Sequence, residues 1–212
     1  MDLKDISYSL QSGKAKETSV LITQAIKEHY SVESIRKQGL IPGMTAVEER
    51  FKKNEIFVPE VLVAARAMNI GIKTLRPCLA ASGEKPKGTV VVGTVRGDMW
   101  DTEKNLMAIM MEGIGLRVVD LGVSVTHERF IEAAEREKAR IIACLAQHTT
   151  TMHQMKILVQ ALAGTGNRNH LKVLITGRPV TENFCHAIGA DLYAHDVVNA
   201  AETALACCEK NL

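Results

Sequence analysis

Three residues that could do chemistry share one short stretch. Asp98, Trp100 and Glu103 lie in TVRGDMWDTEKN, residues 94–105, directly after the apolar run GTVVVGTV. Loops that leave a strand's carboxyl end are where α/β domains hold ligands, so the two carboxylates are candidates to bind or orient one. Trp100 is different in kind. The indole N–H only donates, and the nitrogen lone pair belongs to the ring, so Trp100 cannot ligate a metal. A second candidate group, Gln147, His148, Thr149 and Thr150, ends the run RIIACLAQ. There an imidazole able to bind a metal sits beside hydroxyls and the start of a helix, a place suited to a propionate, amide or phosphate. Thr176, Gly177 and Arg178 end a third run, LKVLITG.

The remaining chemistry-bearing residues form no closed site. His127, His170, His186 and His195 have no metal-ligand spacing among themselves, and His153 falls in the first turn of a helix and reads as a surface residue. Met99, Met107, Met110, Met111, Met152 and Met155 read as core filler or cap contacts. The chain shows no independent nucleophile and no acid–base pair, which describes a carrier or binder rather than a stand-alone enzyme.

Two kinds of element must position these residues. Residues 1–82 carry apolar residues at helical spacing in TSVLITQAIKEHY, SVESIRKQGLIPGMTAVEERFKK and VPEVLVAARAMNIGIKTLRP. Ser31 suits a helix cap, Pro59 suits a first turn, and Pro77 is expected to end the last helix. The expectation is a four-helix bundle over 1–82, then a linker over 83–88 with Gly, Pro and Lys content. From 89 to 212 the rhythm changes to five apolar strands alternating with five helices. Such alternation predicts right-handed βαβ crossovers and a Rossmann-like, flavodoxin-like parallel sheet covered on both faces.

Composition narrows the class of function. Of 212 residues 46% are hydrophobic and 24% charged, and Lys plus Arg exceed Asp plus Glu only as 26 to 24. That balance, with the basic residues scattered, argues against a nucleic-acid partner. The polar start MDLKDISYSLQSGKAKE is unlike a secretory signal, and no apolar run approaches a membrane span of roughly 20 residues. Five cysteines without a C-x-x-C pair fit a reduced, cytoplasmic setting, and adjacent Cys207 and Cys208 read as structural.

A helical bundle followed by GDMWDTEKNLMAIMMEGIGLRVVDLGV and TTTM resembles the corrinoid proteins of methyltransferase systems, and is similar to the cobalamin-binding module of methionine synthase. The resemblance covers essentially the whole chain. It implies that GMTAVEERFKKNEIFVPEVLVAARAM belongs to a cap shielding the upper face of a corrin. It also implies an α/β domain holding cobalamin, with the nucleotide tail in a slot beside the sheet and a first-loop histidine ligating cobalt from below. The partners it implies are a substrate-specific methyltransferase and an acceptor methyltransferase.

The sequence departs from the family's binding signature in all three parts. In D-x-H-x-x-G, Asp98 is kept, Trp100 stands for histidine and Glu103 for glycine; in S-x-L, Leu145 and Gln147 stand for serine and leucine, followed by His148. In G-G, Thr176 replaces one glycine, Gly177 remains, and Arg178 follows where a small residue is usual. Larger side chains around one slot add volume, and overpacking costs roughly 1–3 kcal/mol per insertion. The slot is therefore expected to be filled. Asp98, without a histidine to orient, is expected either to form a turn or cap, or to accept from the Trp100 indole or pair with Arg178. Three readings stay open: a corrinoid held without the usual lower histidine, a pocket turned to haem with His148 as ligand, and a ligand-free partner or regulator of a methyltransferase.

Overall fold

In the computed structural model the described residues are 1–82, 86–164, 168 and 170–209. The chain divides into two compact units, Met1–Lys85 and Pro86–Leu212. Residues 83–85 of the expected linker lie outside the described residues.

The first unit is helical. α1 (Lys4–Gln11) and α2 (Ala15–Lys27) precede a continuous helical path formed by α3 (Val32–Ile35), a π-turn (Arg36–Leu40) and α4 (Ile41–Lys52). The Ser31 side chain accepts the Ser34 N–H and caps α3 as expected. The widened turn lies just before Pro42, whose missing N–H breaks the regular ladder there. α5 (Val58–Ser82) corrects one expectation, because Pro77 lies inside the helix and does not end it. A proline removes a single ladder bond, and the helical path continues through it. Ile6, Leu10, Ile22, Leu40, Ala64, Met68 and Leu75 are buried along these helices and form the unit's interior.

The second unit is a five-stranded parallel sheet of order β2-β1-β3-β4-β5. The strands are β1 (Thr89–Thr94), β2 (Arg117–Asp120), β3 (Ile141–Leu145), β4 (Lys172–Thr176) and β5 (Leu192–Tyr193). They alternate with α6 (Thr102–Gly113), α7 (His127–Arg136), α8 (His153–Ala163), α9 (Glu182–Ile188) and α10 (Val197–Glu209). Thr126 and Thr181 cap α7 and α9 through their side chains.

Strand alternation sends side chains to two different layers. Val91, Ile142, Cys144, Val173 and Ile175 pack with Phe130, Met155, Leu158 and Cys185, which come from α7, α8 and α9. The intervening residues Val90, Val92, Ile141, Ala143, Leu145, Leu174 and Thr176 face the opposite layer, where α6 and α10 pack together. The direction of winding across the sheet reverses between β1 and β3: the connection from β1 leads outward to β2, and the one from β3 leads the other way to β4. In open parallel sheets such a switch point opens a crevice at the strands' carboxyl ends.

One glycine holds two of those ends together. A Cβ at Gly177 (φ +132°) would lie 1.9 Å from the Ala146 carbonyl oxygen. Ala146 N–H donates to Thr176 O (3.2 Å) at the same place, so β3 and β4 meet with no room for a side chain. The Gly177→Ala variant is expected to lose about 3 kcal/mol or more of stability in chemical denaturation.

Candidate functional site

The three loops at the switch point are 95–101 after β1, 146–152 after β3 and 177–181 after β4. Asp98 joins the first two. Its side chain is fully buried, with 0% of its surface exposed. Oδ1 accepts the backbone N–H of Trp100 (3.1 Å), while Oδ2 accepts the backbone N–H of Gln147 (2.6 Å) and the Thr151 hydroxyl (3.0 Å). The Asp98 carbonyl accepts from the Thr94 hydroxyl (2.6 Å) and from Ser124 N–H (3.0 Å), which brings in the loop after β2. Asp98 therefore makes the expected turn and goes further, clamping the loop after β3 at two positions, 49 and 53 residues away in sequence. Neither alternative partner is engaged: the bond from Trp100 comes from its backbone, and Arg178 is not among the donors.

The sequence candidates separate into three groups. Trp100, Glu103, Gln147, His148 and Arg178 together line one cleft of about 150 Å³. Leu145 (1% exposed) and Thr176 (2%) line no part of it; they sit side by side in the sheet, with Thr94 on Leu145's other flank. Gly177 serves the β3–β4 contact. Thr149 and Thr150 are exposed outside the cleft, and the Thr150 carbonyl lies 2.9 Å from His153 Nδ1. Thr151, whose hydroxyl reaches both Asp98 and the His148 carbonyl (2.9 Å), matters more than its two neighbours.

Charge within the cleft is uneven. Burial pushes the Glu103 carboxyl above its usual value of 4.5, Arg178 opposes the shift, Asp98 adds to it, and a hydrogen bond from the Gln147 side chain draws it back. Glu103 Oε2 is buried without a hydrogen-bond partner. At the first turn of α6 the nearly buried Lys104 pairs with Asp120 at the end of β2, fixing the helix that carries Glu103. Cys144 lies in the core of the sheet, where burial pushes its thiol up to about 12 and makes it inert. No cluster of three or more His, Cys, Asp or Glu that could hold a metal occurs among the described residues. Among the described residues, no helix is long and apolar enough to cross a membrane.

A parallel α/β unit with its cleft at the switch point, preceded by a helical unit, defines the architecture of cobalamin-binding proteins. The chain belongs to the B12-binding family, among the corrinoid proteins of methyltransferase systems. Family models described as "B12 binding domain" match residues 3–76 and residues 88–206. The chain is 40% identical over 179 residues to trimethylamine corrinoid protein 1 of Methanosarcina mazei, covering 82% of each chain. Its fold is similar to that of a cobalamin-binding protein from Desulfitobacterium hafniense, with a TM-score of 0.79, 26% identity and coverage of 97% and 98% of the two chains. It is also similar to a chain of the methanol:cobalamin methyltransferase complex MtaBC from Methanosarcina barkeri, with a TM-score of 0.74, 26% identity and coverage of 98% and 79%.

The resemblance implies a cobalt-binding imidazole at position 100, where this chain has Trp100, whose side chain only donates. The aspartate that would orient an imidazole is buried and holds three other donors. Leu145 and Thr176 are packed into the unit's own core.

Two variants test this account. Asp98→Ala would strand the Trp100, Gln147 and Thr151 donors in a buried place and is expected to destabilise by about 2–4 kcal/mol. A carboxylate merely left over from a lost histidine would give little change in the same denaturation measurement. Glu103→Gln removes a half-buried charge. Because the folded-state value of Glu103 is raised, the wild type loses stability as pH climbs through and above 4.5, and binds the same number of protons folded or unfolded well below it. The variant should therefore melt higher than wild type at pH 7, with the difference disappearing in acid.

Proposed function

We propose that this chain is the corrinoid-carrying subunit of a methyltransferase system and holds its corrinoid without a lower histidine ligand from the first loop. It acts with a substrate-specific methyltransferase and an acceptor methyltransferase, and is not an enzyme by itself. The observation that carries this reading is the state of the first loop. Asp98 and the loops around it are fully bonded and ordered about a cleft, while a donor-only side chain, 60% exposed, replaces the ligand. A pocket that had simply lost its purpose would have no reason to keep large aromatic surface in the open beside this clamp.

A second reading rests on His148. Its side chain is exposed and lines the cleft, so an imidazole is available there as an axial ligand for another planar tetrapyrrole such as haem. Haem has no nucleotide tail, and the buried Leu145 and Thr176 present no obstacle to it.

Incubation of the purified protein with hydroxocobalamin, and separately with haemin, followed by desalting and absorption spectroscopy, distinguishes the readings. One equivalent of cobalamin should be retained, with a spectrum unchanged in the His148→Ala variant. A haem Soret band that moves in that variant would establish the second reading in place of the first. Retention of neither chromophore would overturn both and leave a ligand-free partner or regulator of a methyltransferase.

A further inference from the structure

At the carboxyl ends of β1, β3 and β4 the sheet is closed. Thr94, Leu145 and Thr176 stand side by side in register and are buried, and the Thr94 hydroxyl is already engaged by the Asp98 carbonyl. Gly177 and Ala146 meet just beyond them with no room even for a methyl group. Nothing the size of a nucleotide can pass between these residues without displacing packed side chains. The open space lies outside, in the cleft lined by Trp100, Glu103, Gln147, His148 and Arg178.

Arg178 is exposed in that cleft and has no hydrogen-bond or ion-pair partner among the described residues. Its backbone is held in a tight turn, where Pro179 follows it and Val180 N–H donates to the Gly177 carbonyl (2.9 Å). Glu103 is the one carboxyl among the residues that line the cleft. It has one oxygen shut away from water, and the Gln147 side chain hydrogen-bonds to it. The guanidinium, not the carboxyl, is therefore the charge presented to a ligand. Elsewhere in this unit basic side chains close on carboxylates, as Arg168 does on Asp191 (2.8 Å) and Lys104 on Asp120. An arginine left open in a crevice suits an oxyanion, which it takes through two parallel N–H bonds.

We propose, on the reading that this protein carries a corrinoid, that Arg178 binds the phosphodiester of the corrinoid's nucleotide tail and holds the tail outside the sheet. Of the groups around the rim of a cobalamin, the phosphodiester is the only charged one; the rest are amides. A guanidinium has one strong target there. The cleft volume of about 150 Å³ equals roughly five waters at about 30 Å³ each, which is room for a phosphate group and not for a base with its sugar. The base consequently lies outside the cleft. Selection among corrinoids follows from this arrangement: the chain prefers one with a complete tail to one that ends before the phosphate.

Trp100 is the chain's single tryptophan and lines the cleft, so a bound corrinoid, which absorbs where indole emits, quenches its fluorescence. The purified full chain is titrated with methylcobalamin and with methylcobinamide, which has the same ring and methyl group but no phosphate. Wild type should bind methylcobalamin roughly tenfold or more tighter than methylcobinamide. Arg178→Gln should erase that difference by weakening methylcobalamin alone, since methylcobinamide offers the guanidinium no anion. Inorganic phosphate, a free source of the same group, should displace methylcobalamin only at concentrations far above it. Equal binding of the two corrinoids by wild type, an unchanged methylcobalamin affinity in Arg178→Gln, the same loss for both corrinoids, or displacement by an equal concentration of phosphate would overturn the assignment and leave the corrinoid reading in place. Failure of wild type to bind either corrinoid would overturn both.

Discussion

The carboxylate of Asp98 organises the whole ligand end of the α/β unit. It is fully buried, and it is affordable there only because three donors converge on it, two of them from a loop far away in the chain. With its backbone carbonyl it also receives Thr94 and Ser124, so the loops after β1, β2 and β3 share one hub. Trp100, Gln147 and His148 follow directly from backbone groups fixed at this hub. Their convergence on a single cleft is a consequence of that bonding.

Around the hub the unit assigns different duties to residues that sit at one motif. Leu145 and Thr176 belong to the core, Gly177 to a contact between strands, and Glu103 and Arg178 to an open cleft. The inner ones, Leu145 and Thr176, are part of the packing of the sheet, and the outer ones line the cleft in contact with solvent. The chemistry that remains is that of a small polar cleft with an aromatic wall.

The order of elements was legible because hydrophobic period reports burial directly: continuous apolar runs mark strands buried on both faces, and the intervening segments carry the helical period. The inability of Trp100 to bind metal was equally legible, since it depends only on the electronic structure of indole. Pro77 misled because its local preference is weaker than the packing of a long helix that already buries Ala64, Met68, Ile72 and Leu75. The bonds to Asp98 could not be read at all. Hydrogen bonds from Gln147 and Thr151 span about fifty positions and leave no periodic trace, and Thr151 looks no different from the two exposed threonines before it. Added volume at Glu103, Leu145, Thr176 and Arg178 was visible, but the residue types do not say which of them turn inward.

The way Asp98 is bonded also decides how freely the first loop can vary in sequence. A carboxylate has about four acceptor positions, and three are taken, one on Oδ1 by a backbone N–H and two on Oδ2 by groups of a distant loop. The fourth, on Oδ1, stays open toward the side of the loop that carries position 100. None of the three bonds uses the side chain at position 100, so the loops keep their anchor whichever residue stands there. The clamp is a fixture of the backbone, and the ring it presents is an exchangeable part.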